Sequence, residues 1–324
     1  MKQPHRISRR ALVAGLAAAP IIAAAPRGAL AQAARRPFTV VVPYPPGGST
    51  DLLGRLYAEG LGNQLGEKVV VENRPGANGM IGTAQVASAP PDGRTLCYTF
   101  GSLLLNQQFL MKNPGVDALN DLEPVVRTAI IHAAFVAAAD APYKDLAEFI
   151  ALARRNPGKH SYAFYGDLAS AAVAAEAGID LIRVPYKGGV PGMTDVAGGR
   201  VDMIYSSIAQ SGPLLRSGKL KALAVAGDQR LAEFPNVPTV KEVLPNYRAL
   251  DYQVVLAPKG TPKPMLEDLH RRSVAVLTSA EMRRQFEERG SVVAPLTPDE
   301  LRAFMAADHA ALAKVVKAAN IQPE

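Results

Sequence analysis

The chain holds a single cysteine in 324 residues, so no disulfide can close within it. That residue, Cys97, lies between Leu96 and Tyr98 in an apolar run, the setting of a buried structural thiol rather than a nucleophile. The spacings of several enzyme classes are missing too. There is no G-x-S-x-G elbow and no phosphate loop ending in Gly-Lys-Ser/Thr. His132, His160, His270 and His309 are scattered, without H-E-x-x-H spacing or paired cysteines, which gives a metal site little support. Gly76-x-x-Gly79-x-x-Gly82 has the wrong first spacing for a dinucleotide turn and reads as a structural turn. Nothing in these patterns calls for a cofactor. The apolar run Ala11 to Ala25 falls short of the roughly 20 residues of a membrane span and is broken by Gly15 and Pro20. No internal repeat and no low-complexity segment follows it.

What that run does resemble is the core of an export signal. His5-Arg6-Ile7-Ser8-Arg9-Arg10 supplies the positive charge before it, and small residues at Ala29-Leu30-Ala31 or Ala31-Gln32-Ala33 offer a cleavage site. The pair Arg9-Arg10 after Ser8 suits twin-arginine export, with a general secretory signal as the alternative. Residues 1–31 carry five of the 36 basic residues and none of the 29 acidic ones, so the mature chain has a net charge of only +2. The high isoelectric point is largely a property of the signal and does not argue for nucleic acid or a membrane surface as partner. A mature protein of 293 residues buries a large core and favours two domains over one.

Short apolar runs alternate with helical patterns almost to the C-terminus, the rhythm of an α/β protein with largely parallel sheets. Phe38–Val42, Lys68–Glu72 and Thr95–Thr99 read as strands of a first doubly wound unit, with a helix from Thr50 that puts Leu52, Leu53, Leu56, Leu61 and Leu65 at spacings compatible with one buried face. A second unit begins near Val125-Val126-Arg127. Ile130 to Ala138 reads as one long strand, Asp145 caps a helix from Leu146 to Arg155, and strands follow at Ser161–Tyr165, Asp180–Val184, Val201–Tyr205 and Leu220–Ala226. After a proline-rich passage the strand Leu250–Ala257 leads into three helices with no strands of their own, expected to pack back on the first unit.

The loop Pro43-Tyr44-Pro45-Pro46-Gly47-Gly48-Ser49-Thr50-Asp51 joins a strand to a helix, at the carboxyl end of the sheet where open α/β folds bind ligands. Gly47-Gly48 lets backbone approach a ligand closely, and Ser49 and Thr50 add hydroxyls at the helix N-terminus. Unpaired amides and the positive end of the helix dipole there favour an anion. Asp51 sits awkwardly in that picture. In the first helical turn it is stabilised, and it offers an acceptor to a ligand amine or hydroxyl. The same spacing also fits an ordinary glycine-containing connection with a Ser or Thr cap.

Four longer stretches occur in order: PYPPGGSTDLLGR (Pro43–Arg55), VVVENRPGANGMIG (Val69–Gly82), PDGRTL (Pro91–Leu96) and VPYKGGVPGMTDVAGGRVDM (Val184–Met203). With them the chain resembles the tripartite tricarboxylate transporter receptors, also called Bug solute-binding proteins, over nearly all its mature length. The resemblance implies a type II periplasmic binding protein fold, two α/β lobes that close on an organic acid, a related small amide or an aromatic acid. It implies ligand contacts from the first strand-to-helix loop, matched here by Tyr44, Gly47, Gly48, Ser49, Thr50 and Asp51, and from Gly101 and Ser102 after the third strand. On the second lobe, Tyr186 and Lys187 match a motif near the cleft, Lys187 being equally readable as a solvent-facing charge.

Two departures from the family pattern bear on the second half of the cleft. Relatives carry a glycine- and serine-rich loop and then a longer helix where this chain runs from Tyr165-Gly166-Asp167 through Ser170 into a short alanine-rich helix, so Gly166 and Ser170 stand in for a shortened wall. Tyr205-Ser206-Ser207 replaces an acidic residue, which makes Ser206 a neutral candidate contact. The expectation is an exported signal at 1–31, a discontinuous first lobe at 32–129 and 250–324, and a second lobe at 130–249, crossed near Arg127–Ile131 and Ala249–Tyr252. The expected partners are a small carboxylate and, through the resemblance, a membrane permease or a sensor domain. The alternatives are a periplasmic enzyme acting on a small acid and a receptor remnant that has lost its ligand.

Overall fold

The computed structural model describes residues 36–323 apart from 249, and the export signal read at 1–31 lies outside them. From Pro37 onward the chain forms one compact unit built on two sheets. β1 (Phe38–Val42), β2 (Val69–Asn73) and β3 (Thr95–Phe100) run parallel in the order β2-β1-β3, with α1 (Ser49–Leu65), α2 (Met80–Ala87) and α3 (Gly101–Leu110) between or after them. The sheet is then extended by antiparallel strands, β10 (Asp251–Pro258) beside β3 and β4 (Leu122–Ile131) beside β10.

The second sheet repeats the plan. β6 (His160–Phe164) pairs in parallel with β7 (Leu181–Pro185) and β8 (Met203–Ser207), while β5 (Ala133–Ala138) lies antiparallel to both β8 and β9 (Leu220–Ala226). Helices α4 (Leu146–Arg155), α5 (Ala169–Ala177), α6 (Gly189–Ala197), α7 (Ile208–Arg216) and the short α8 (Val240–Val243) surround it. Each sheet is therefore mixed and not largely parallel as the alternating pattern suggests, with three parallel strands along one side and antiparallel strands along the other. Asp145 caps α4 by accepting from the Glu148 amide at 2.9 Å, as its position before the apolar run predicts.

Two details differ from the sequence reading. The apolar run 130–138 is two strands, broken at His132. Its amide donates to the Gly290 carbonyl at 2.9 Å and its own carbonyl accepts from the Ile208 amide at 2.8 Å, so one residue is tied to both sheets. The C-terminal helices α9 (Lys263–Leu277), α10 (Ala280–Glu287) and α11 (Pro298–Ala318) do include a strand of their own, β11 (Ser291–Val293), antiparallel to β4. Three residues flanked by charged helices carry too little apolar periodicity to announce a strand.

Alternation along β1 and β3 builds the first lobe. Val40, Val42, Leu96 and Tyr98 face a core with Leu53, Tyr57 and Leu61 of α1, while Val41 and Cys97 face the opposite core with Leu104, Leu105, Leu301 and Met305. That second core also takes in Leu168 and Ala171 from around the start of α5. The C-terminal helix α11 thus packs on both lobes and not only on the first. Cys97 is fully buried, and burial pushes its thiol up to about 12.

Candidate functional site

The Pro43–Asp51 loop leaves β1 at the carboxyl edge of the sheet. Gly47 stands at φ +83°, a conformation that only glycine adopts freely. Asp51 holds the turn: Oδ2 accepts from the Gly47 amide at 2.8 Å and from Arg55 Nε at 3.0 Å, and Oδ1 accepts from Asn73 Nδ2 at 2.8 Å. Asn73 Nδ2 also reaches the Tyr44 carbonyl at 3.1 Å, and Arg55 donates to Asn73 Oδ1 at 2.7 Å. Burial alone would raise the Asp51 carboxyl. The hydrogen bonds from Arg55, Gly47 and Asn73 outweigh it and hold the group below the ordinary carboxylate range.

This closed ring assigns the loop's polar groups. Asp51 is buried and engaged inside the loop, so it fixes the shape of the cradle and has no free face toward a ligand. The Gly47 amide is taken as well. α1 has no side-chain cap, and its first-turn amides cannot bond within the helix. Gly47, Gly48 and Ser49 are exposed while Thr50 is buried, and the Thr50 hydroxyl accepts from Gln253 Nε2 at 3.4 Å. Tyr44 forms the side wall, its hydroxyl 3.3 Å from Thr99 Oγ1 and its ring edge-on to Phe100 at 5.9 Å.

Gly101 and Ser102 open α3 on the next strand over. A Cβ on Gly101 would come within 2.1 Å of the Tyr252 ring, so the helix starts there only with glycine. Ser102 Oγ donates to Asp251 Oδ1 at 3.0 Å. Facing them, Gly166 of the second lobe lies against the first: its carbonyl accepts from Asn106 Nδ2 at 3.5 Å, and a Cβ on it would sit 3.7 Å from Asn78 Nδ2. The lobes are in contact at this seam. Asp167 and Ser170 are buried beside it, Ser170 with an unpartnered hydroxyl.

The other second-lobe candidates are engaged locally. Tyr186 donates its hydroxyl to Asp195 Oδ2 at 2.7 Å, and Asp195 is also paired with Arg200. Ser206 is buried and its hydroxyl donates to the Ser207 carbonyl at 3.3 Å. Lys187 is exposed. The structure therefore brings Gly101, Ser102, Gly166 and Ser170 to one seam, with the cradle at one side and Tyr186 and Ser206 on the second lobe's own framework. No group of three or more His, Cys, Asp or Glu among the described residues could hold a metal ion, and no helix among them is long and apolar enough to cross a membrane.

Residues 53–321 match the family model of the tripartite tricarboxylate transporter family receptor. The chain belongs to that family. Among its relatives, the UPF0065 protein of the tcbD–tcbE intergenic region of Pseudomonas sp. (strain P51) is 34% identical over 302 residues, 91% of this chain and 90% of that one. Among solved structures, periplasmic binding protein BugD is 31% identical with a TM-score of 0.72, covering 90% of this chain and 99% of its own. The R. palustris protein Rpa4515, solved with adipate, is 30% identical with a TM-score of 0.76 over 90% of this chain and 99% of its own.

Within this tripartite tricarboxylate transporter receptor, several residues that shape the site were not singled out by sequence. Asn73 and Arg55 lie inside quoted motifs, and the pairing of Val42 with Asn73 across β1 and β2 is what makes them partners of Asp51. Asp251 and Asp308 gave no signal, being single acids in a strand and a helix whose meeting depends on the closed fold.

Proposed function

We propose that the mature chain is a periplasmic solute-binding receptor that captures a small carboxylate in the cleft between its lobes, for uptake through a membrane permease or for sensing. The carrying observation is the uncapped, exposed N-terminus of α1, held open by the Asp51 ring. A carboxylate placed on the amides of Gly48, Ser49 and Thr50 would gain charge-assisted hydrogen bonds of about 1.5–3 kcal/mol each. The relative solved with adipate supports an organic acid as the ligand, and the family's character as receptors supports binding without turnover.

The lobes divide near residues 130 and 250, where the chain passes between sheets. His132 is the natural pivot of one crossing. Ligand held on the first lobe stabilises the closed state through added contacts from the second, at the Gly166–Ser170 segment and around Tyr186 and Ser206. Export by the segment 1–31, with its twin-arginine pattern, delivers the protein to the periplasm. A crystal structure with adipate tests the cradle: a carboxylate seated on the Gly48–Thr50 amides is expected, and one bound elsewhere in the cleft would refute it.

A further inference from the structure

Three aspartates from three separate elements converge where the lobes meet. Asp167 follows β6 in the second lobe, Asp251 begins β10 at the crossing, and Asp308 lies on α11. Together with Ser102 and Tyr205 they line a small, partly open pocket of about 20 Å³, room for one group the size of a water molecule. Each carboxylate accepts one hydrogen bond of ordinary length from the protein: Asp167 from the Ala169 amide at 3.1 Å, Asp251 from Ser102 at 3.0 Å and Asp308 from the Tyr252 hydroxyl at 3.1 Å. None of the ion pairs formed among the described residues involves them.

The cavity also holds polar groups with nothing to bond to. Asp167 Oδ2 is buried and unpartnered. Tyr205, only 1% exposed, turns its hydroxyl toward Asp251 without a hydrogen bond of ordinary geometry. Buried polar atoms are almost always satisfied, so these point to a guest that donates several hydrogen bonds and carries positive charge. A metal ion does not fit, since the acids do not converge at ligand distance. A primary ammonium does, with three N–H donors and the size of water.

Its position ties it to the carboxylate cradle. β10 and β1 flank β3, and at about 4.8 Å between strands their lines are about 10 Å apart. Asp251 sits at the same edge of the sheet as the cradle, because β10 is antiparallel to β3 and Gln253 pairs with Phe100. We propose that the ligand is a zwitterion, an amino acid whose carboxylate sits on the Gly48–Thr50 amides and whose ammonium enters the cavity of Asp167, Asp251 and Asp308. This rests on the receptor reading above and sharpens its ligand class. Burial, then the neighbouring Asp251 charge, raises Asp167 to about 7, and burial raises Asp251 and Asp308 to about 6, consistent with acids that lack a counter-charge.

The test titrates the mature protein with ω-amino acids of three to six carbons and with the dicarboxylates and monocarboxylates of matched length, by calorimetry at neutral pH. At least one amino acid should bind about tenfold or more tighter than both matched acids, the effect of one charge-assisted contact. Asp251→Asn, and independently Asp167→Asn, should erase that preference, bringing the amino acid level with its matched acids. Dicarboxylates binding as well as or better than the amino acids would overturn the ammonium site and leave the receptor reading standing. A preference that survives both substitutions would overturn the site as placed. If no compound of any class binds, the receptor reading itself falls, and the ammonium site with it.

Discussion

Buried Asp167 and the half-buried Asp251 and Asp308 make stability fall as pH rises, the reverse of ordinary acid denaturation. An aspartate titrates near 3.9 when unfolded. Asp251 and Asp308 are raised to about 6 and Asp167 to about 7 in the folded protein, chiefly by burial. Between pH 4 and 7 the folded state therefore binds more protons than the unfolded one. Their contribution is fully present below about pH 4 and is lost as pH climbs through the folded values. One carboxyl raised by about two units removes about 3 kcal/mol across that window. The three interact, so the joint effect is about 3–6 kcal/mol rather than a simple sum. For a chain of this size that is a fall in Tm of about 6–15 °C. The assay is thermal unfolding of the ligand-free mature protein from pH 4.5 to 7.5 in an amine-free buffer, beside Asp251→Asn. The native protein should lose stability with rising pH, and the variant should show a flatter profile and gain stability at pH 7.5. A native profile that is level or rises over this interval, or an equal slope in the variant, would refute the reasoning.

Asp51→Ala should cost about 2–4 kcal/mol in urea unfolding, because it leaves the Gly47 amide and Asn73 Nδ2 without their acceptor while half-exposed Arg55 recovers water; an unchanged midpoint would show that the ring does not hold the loop. Because the folded Asp51 carboxyl lies below its unfolded value, its stabilisation is present above about pH 4 and lost as pH falls below that, so the native and Asp51→Ala curves should converge toward pH 2–3. Gly48→Val and Gly47→Val separate crowding from strain. Gly48 has φ −73° and a Cβ on it would meet only Pro45 O at 3.7 Å, so valine there should keep Tm within about 2 °C and weaken carboxylate binding about tenfold or more. Gly47 at φ +83° should instead lose about 1–3 kcal/mol of stability with valine, measured by the same unfolding curves.

Local pattern made most of the frame readable. Phe38–Val42 and Leu220–Ala226 are strands with the bounds that their apolar runs suggest, and the position of the cradle follows from a strand ending just before Gly47-Gly48. What depended on distant contacts was not readable. The break at His132 exists because Gly290 and Ile208 reach that residue from elements far along the chain. Asp51 looked available to a ligand because the spacing shows its helix but not Asn73, which arrives from β2. Ser102 and Asp251 stand 149 positions apart, and nothing near either marks them as partners. The seam at Gly166 likewise joins residues 60 positions apart, Asn106 and Gly166, which no local pattern marks as neighbours.

The proposed function turns on a small carboxylate seated on the amides of Gly48–Thr50. Its most direct test is calorimetric titration of the mature protein, and of Gly48→Val beside it, with a panel of mono-, di- and tricarboxylates and amino acids. One ligand per chain is expected for some member of the panel, bound at least about tenfold more weakly by the variant. At a ligand concentration of 100 times Kd the same compound should stabilise the fold by about 2.7 kcal/mol. A panel in which nothing binds, or a ligand held equally well by native protein and Gly48→Val, would contradict it.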